Sequence, residues 1–273
     1  MAKGSDSKLN RLQRELPEGL LADAAWMEAH GYSSSLRSQY LKAGWLDQPT
    51  RRVYRRSRQP LTWAQVIMSL QLVLDYPIAV GGRTALELQG YAHYLSNDHR
   101  EIHLYGPTRP PSWLNELPLD TEFHWHNSHR LFPADPAPQR NLQRSVTLSP
   151  PSTLFIVGSP YADLPLGTSA KERAILELLD ELPERESFHQ VDTLMEGLSD
   201  LSPRRLQTLL EQCASVKVKR LFLFFADRHQ HAWFAKLDTS RINLGAGKRV
   251  LVRGGKLDPT YLITVPEDLH GPA

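Results

Sequence analysis

The residues best equipped for chemistry lie in two adjoining stretches. Between 34 and 42, Ser34, Ser35, Arg37, Ser38 and Lys42 supply hydroxyl and cationic donors, and Arg51, Arg52, Arg55, Arg56 and Arg58 follow. Side chains of these types donate to base edges and to phosphate oxygens. They can do so together only if a helix presents the first set and a hairpin the second. The spacing predicts both. A helix over 20–30 breaks at Gly31, and a second over 34–43 ends at Gly44. Ser33 and Ser34 are suited to cap it and Gly44 to stop it in a left-handed conformation. Leu36, Tyr40 and Ala43 recur at i, i+4 and i+7, so they are expected to pack on Leu21, Ala25 and Trp26. That phase turns Ser34, Arg37, Ser38 and Leu41 outward, with Ser35 and Lys42 flanking. A hairpin then runs through Trp45-Leu46-Asp47, a Gln48-Pro49-Thr50 bend and the arginines 51–56.

Helix, glycine turn, helix and basic hairpin in that order read as a winged helix-turn-helix. Its second helix would enter the major groove and its wing would lie along the backbone. Ser34, Arg37 and Ser38 are then expected to read bases, while Lys42, Arg51, Arg52, Arg55 and Arg56 hold phosphates. A small helical domain with a solvated basic edge is the plainer alternative. A serine-rich second helix followed directly by an arginine-rich hairpin favours DNA. Charge agrees: residues 1–60 hold 11 Lys/Arg against 6 Asp/Glu, and the remainder 21 against 24. A basic arm on a near-neutral body is the pattern of a nucleic-acid binder.

With 273 residues, 41% hydrophobic and 23% charged, the chain has the composition of a soluble globular protein with room for two domains. We expect one over 1–59 and another over 60–273, with a possible sub-boundary near 160–168. Cys213 is the single cysteine, which excludes an intrachain disulfide and fits a reducing cytoplasm. No apolar run reaches membrane-spanning length, and the first residues lack a signal-peptide core. A first helix is expected over 6–15. In the body we expect helices over 62–74, 83–89, 169–181, 188–198 and 203–214. Strands are expected at 78–80, 101–105, 121–126, 216–218, 221–225, 249–252 and 261–265. The 169–181 helix carries Ile175, Leu176 and Leu179 inward, and Ser169 with Glu172 has capping-box spacing. Prolines crowd the stretch 107–165, so it consists of short elements joined by turns. The class is α+β.

The segments LLADAAWMEAHGYSSSLRSQYLKAGWLDQPTRRVYRR, VGGRTALELQGYAHYL and KRVLVRGGKLDPTYLITVPEDL, in this order, give the chain a resemblance to the AbiEi family. These are antitoxins of type IV abortive-infection toxin–antitoxin systems. The resemblance covers most of the chain. It implies a bacterial protein with an N-terminal winged helix and a C-terminal antitoxin domain. Such a protein would bind inverted repeats upstream of its own operon, repress it, and counter a nucleotidyltransferase-like toxin without needing a stable complex with it.

Other residues carry alternative chemistry. Nucleotidyltransferases place Gly-Gly after a strand and two carboxylates at i, i+2 on the next, bridging magnesium. Here Gly81-Gly82 is followed by Glu101-Ile102-His103, with Asp98 upstream. A histidine stands where the second acid belongs, which suggests a nucleotidyltransferase-like shape without its metal site, and no enzyme. Gly81-Gly82 as a tight turn is the simpler reading. His124 and His126, with His129 nearby, and His229 with His231 have i, i+2 spacing that could ligate zinc from a strand. Without a cysteine or a well-placed acid, surface histidines are the commoner outcome, so neither metal nor cofactor is expected. Cys213 is expected to be inert core. Lys217, Lys219, Arg220, Lys248 and Arg249 form a possible antitoxin surface if 216–218 is a strand, although a solvated polar face is the default for such spacing. Two alternatives to an antitoxin stand beside this reading: a ligand-responsive winged-helix regulator without a toxin partner, and a nucleotidyltransferase using Glu101.

Overall fold

In a computed structural model, residues 8–56, 58–91, 100–134, 154–158 (backbone course only) and 165–269 are described. The chain opens with α1 (Lys8–Glu15), β1 (Leu21–Asp23), α2 (Ala24–Ala29), α3 (Ser34–Lys42) and the hairpin β2 (Asp47–Thr50) and β3 (Val53–Arg55). The expected helix over 20–30 is therefore a short strand followed by a shorter helix. Leu21 and Ala22 pair with Arg55 and Tyr54, and Asp23 caps α2 by accepting from the Trp26 N–H at 2.8 Å. A residue that caps so well ends whatever precedes it. The three strands order as β1-β3-β2, all antiparallel.

A continuous helix follows, α4 (Trp63–Met68) passing into a π-helical stretch (Ser69–Val73), with a capping box between Thr62 and Gln65. It buries Trp63, Ala64, Val66, Ile67, Met68 and Leu70 against Leu12, Leu20, Leu21, Met27 and Val53. Ser69 Oγ accepts from the Leu21 N–H at 2.8 Å, tying this helix to β1.

The body is built on a five-stranded mixed sheet. Its strands are β4 (Ala79–Val80), β5 (Glu101–Gly106), β6 (Glu122–Asn127), β7 (Leu154–Gly158) and β8 (Pro165–Ser169), in the order β6-β5-β4-β8-β7. Alternation along the strands gives the sheet two faces. Ile102, Leu104, Phe123, Val80 and Leu166 join the same core as the N-terminal elements. The opposite face carries α5 (Gly82–Leu86) and α6 (Lys171–Asp180). A second core follows, made with α7 (Phe188–Gly197), α8 (Pro203–Gln212) and α9 (Val216–His229). The short pair β9 (Lys256–Asp258) and β10 (Ile263–Val265) closes the chain.

Three expectations for this half are corrected. The strands at 216–218 and 221–225 are a single helix, α9, whose N-cap Ser215 accepts from the Val218 N–H at 3.3 Å. Phe222, Leu223, Phe224 and Phe225 are all buried, and an apolar run buried on every side has no periodicity to distinguish helix from strand. Ser169 caps nothing: it ends β8, and its hydroxyl donates to Glu177 Oε1 at 3.0 Å. Glu172 instead accepts from the Ser202 N–H and from Arg205. Of the closing strands, 261–265 survives as β10, and 249–252 is reduced to a bridge between Arg249 and Ile263. No helix among the described residues is long and apolar enough to cross a membrane.

Candidate nucleic-acid interface

The α3 helix begins and ends where its sequence says it should. Ser33 accepts from the Leu36 N–H, and Gly44 adopts φ +75 immediately past the last turn. Ser34, Ser35, Ser38 and Lys42 are exposed on its outer face, as expected, and Gln39 is exposed with them. These positions follow i, i+1, i+4, i+5 and i+8, a single stripe of a 3.6-residue helix. Gln39 was not singled out from sequence, although its place beside Ser35 and Ser38 was open to the same count. A glutamine amide can both donate to and accept from an adenine edge.

Arg37 is not on that stripe. Its side chain is buried, with the residue 5% exposed. Nη1 donates to the Tyr32 and Ala24 carbonyls at 2.8 and 3.5 Å, and Nη2 to Glu28 Oε1 at 2.9 Å. The guanidinium lies 5.5 Å from the centre of the Tyr54 ring. The inward face is centred on Arg37, Tyr40 and Leu41, while Ala43 is exposed. The helix is thus rotated from the phase that Leu36, Tyr40 and Ala43 suggested, and Arg37 takes an internal place rather than a base-reading one.

The hairpin arginines divide in the same way. Arg51 and Arg52 are exposed at the tip. Arg52 holds φ +64, and its carbonyl accepts from the Ala24 N–H at 2.8 Å, which fixes the tip to the start of α2. Arg55 lies on β3, the central strand, where burial is set by neighbours on both sides. It is 6% exposed and pairs with Asp47 at 3.0 Å. Arg56 Nη1 donates to the Gln13 and Leu16 carbonyls at 2.7 and 2.8 Å, closing the C-terminal end of α1, where carbonyls lack partners within the helix. Neither is placed to hold a phosphate. Arg58 is exposed, and its guanidinium lies against Gly44, where an added Cβ would stand 2.6 Å from Nη2. It therefore adds charge at the end of α3 near Lys42. Trp45, next along, is 50% exposed and tilts against the Tyr40 ring.

The C-terminal basic group does not form one surface. Lys217 donates to the Asp180 and Leu182 carbonyls at 2.5 and 3.0 Å, again at the end of a helix. Lys219 is buried, and Arg220, 2% exposed, donates to the carbonyls of Leu244, Gly245, Gly247 and Leu262. Because α9 is a helix, Lys217 and Lys219 do not share a face as they would on a strand. Lys248 and Arg249 alone of the five are exposed.

The Gly81-Gly82 turn joins β4 to α5, and its role is internal. The Gly82 N–H donates to Glu177 Oε2 at 3.1 Å, and a Cβ on Gly81 would stand 2.3 Å from that oxygen and from the Tyr105 ring. The turn thus holds the chain's own carboxylate. Glu177 is fully buried and also accepts from Arg173 Nε at 2.7 Å. Burial raises its pKa, against the pull of Arg173. On β5, Glu101 is exposed and His103 buried, while Asp98 lies outside the described residues.

The sheet face that meets α6 gathers the histidines. Parallel register pairs Glu101 with Glu122, His103 with His124 and Tyr105 with His126, so all six side chains share that face. His103 Nδ1 lies 3.0 Å from His126 Nε2, and His126 Nδ1 lies 3.0 Å from Glu181 Oε1. Burial, reinforced by His126, pushes His103 down to about 4. Burial alone would raise Glu181, but its hydrogen bond to His126 holds the carboxyl below its ordinary value. His129 sits apart on a 3-10 turn. His229 pairs with Asp192, and His231 bonds the Met195 carbonyl. Cys213 is buried, and burial pushes its thiol up.

Two family models match this chain. One, described as "Transcriptional regulator, AbiEi antitoxin N-terminal domain", covers residues 5–97. The other, described as "Transcriptional regulator, AbiEi antitoxin, Type IV TA system", covers 99–266. No curated protein matches. Among solved structures, the RV2827C protein from Mycobacterium tuberculosis is similar in fold, with a TM-score of 0.52 at 14% identity over 94% of this chain and 89% of that one.

Proposed function

The chain belongs to the AbiEi antitoxin family of type IV toxin–antitoxin transcriptional regulators, and from that premise we propose that it binds double-stranded DNA through a winged helix. It represses its own operon at upstream inverted repeats, acts in the bacterial cytoplasm without enzymatic activity of its own, and counters a nucleotidyltransferase-like toxin without a stable complex. The observation that carries the DNA reading is the exposed stripe Ser34, Ser35, Ser38, Gln39 and Lys42 beside the exposed wing tip Arg51 and Arg52. In this reading Ser34, Ser35, Ser38 and Gln39 meet base edges, while Lys42, Arg51, Arg52 and Arg58 meet phosphates. Lys248 and Arg249 are left as the exposed part of the proposed antitoxin surface. The Gly81-Gly82 turn is occupied by the chain's own Glu177, which favours a regulator over an enzyme.

The test is fluorescence anisotropy of the full chain on its own upstream DNA and on scrambled DNA, over a salt series. Preference for the native sequence with a steep salt slope is expected; equal weak binding to both would refute sequence-specific repression. Within that assay Gln39→Ala should cost about 1–3 kcal/mol on the native site only, and relax preference at one position. Arg52→Ala should weaken all sequences by the same factor and reduce the salt slope by about 0.9, the loss of one phosphate contact. Alanine carries the same Cβ into the φ +64 position, so the tip keeps its shape. A sequence-dependent effect of Arg52→Ala would move that residue from the backbone into a groove.

A further inference from the structure

We propose that His103, His126 and Glu181 form a binding site for a divalent transition metal of the zinc class. Three elements contribute one residue each, β5, β6 and the chain just past α6, and one ligand atom from each lies within 4.8 Å of the other two. Imidazole with carboxylate is the donor set that selects zinc over magnesium or calcium, which prefer oxygen alone. The two facing ring nitrogens are 3.0 Å apart. Ligands on a tetrahedral zinc with bonds of about 2.0–2.1 Å stand roughly 3.3 Å apart, so the pair becomes a ligand pair when the rings part by a few tenths of an ångström and turn toward a common point, and the proton shared between them is released or moves to the far nitrogen of His103. Glu181 stands at the other nitrogen of His126 at 3.0 Å, the position from which a carboxylate fixes the tautomer of a ligating histidine or rotates in to ligate directly.

A third histidine stands beside the pair. The His124 ring lies 5.6 Å from that of His103, but its Nε2 faces the Glu101 and Glu122 carboxylates at 3.8 and 3.7 Å, so the site is assigned to His103, His126 and Glu181 without it. Positions that the protein does not fill are left for water, and the metal would clamp β5, β6 and the end of α6 together.

The experiment uses full-length protein stripped with a chelator and titrated with zinc chloride against a chromophoric competitor, with magnesium as control. One equivalent of zinc and no magnesium should bind. His126→Ala should lose the site, Glu181→Gln should weaken it about 10–100-fold, and His189→Ala, at an exposed histidine paired with Asp268, should leave it unchanged. Circular dichroism checks that each variant folds. Should His126→Ala fail to fold, cobalt(II) added to the wild type and to Glu181→Gln decides, since visible bands of a tetrahedral nitrogen–oxygen site are expected in the first and diminished in the second. Absence of zinc uptake by the wild type, or uptake of equal strength in His126→Ala and Glu181→Gln, overturns the proposal and leaves the three groups a hydrogen-bonded chain.

Discussion

Arg37→Ala is expected to lower the stability of the chain by about 3 kcal/mol while leaving the operator affinity of the molecules that remain folded unchanged. The guanidinium ties α3 to the Ala24 carbonyl at the start of α2, to the Glu28 carboxylate on the same helix, and to the Tyr32 carbonyl in the turn. Alanine removes the donor from the Tyr32 carbonyl, and a buried acceptor left without a partner costs on the order of 1–3 kcal/mol; the longer contact to Ala24, whose carbonyl starts α2, and the packing on the Tyr54 ring add to it. Glu28 is 57% exposed on its side chain and returns to water at little cost, so it adds little to the loss. Arg37→Lys keeps the charge but not the fork that bridges two carbonyls and a carboxylate, and should fall between. Urea denaturation measures the first effect, and anisotropy below the transition measures the second. An unchanged midpoint with weakened operator binding would mean that Arg37 swings out to the bases.

Glu177→Ala should cost more, about 3–5 kcal/mol, the usual penalty for removing one partner of a buried ion pair. Its carboxylate is fully buried and serves Arg173, Ser169 and the Gly82 N–H at once. The substitution deprives Arg173, itself buried over the Phe132 ring, of its carboxylate in a region that water does not reach. It also opens a void beneath the Gly81-Gly82 turn. Denaturant titration of Glu177→Ala and of Glu177→Ala/Arg173→Met tests the cause. The double variant should recover part of the loss, because the guanidinium is then gone as well. A single-variant loss below about 1 kcal/mol would show that the pair contributes little.

What could be read in advance was whatever depends on neighbours along the chain. Ser33 and Gly44 bound α3 because caps are local chemistry, and the hairpin follows from its own turn. The phase of α3 was misjudged by a single position. Alanine at 43 is as compatible with solvent as with a core, so Leu36, Tyr40 and Ala43 did not define the face, and an arginine can be the inward residue when carbonyls await it. Arg55 and Arg56 look like Arg51 and Arg52 in sequence. They differ only in that one lies on a central strand and the other reaches carbonyls 43 and 40 residues earlier in the chain. The histidine cluster was out of reach for the same reason. His103 and His126 meet through the β5–β6 register, and Glu181 joins them from just past α6, and neither juxtaposition leaves a spacing rule in the sequence.

The apolar core shared by the N-terminal elements, α4 and one face of the body sheet makes the molecule hard to cut. A fragment ending near Pro60 would lose Trp63, Ile67, Met68 and Leu70 from beneath β1 and α2 and expose the face they cover. Repression and antitoxin action could then be separated by surface substitutions, but not by dissecting the chain there. Among the described residues that core runs without a break from the neighbours of α3 to the sheet, so an occupant of the body that alters its packing is expected to change the proposed affinity for DNA, and DNA would then change the affinity for that occupant by the same factor.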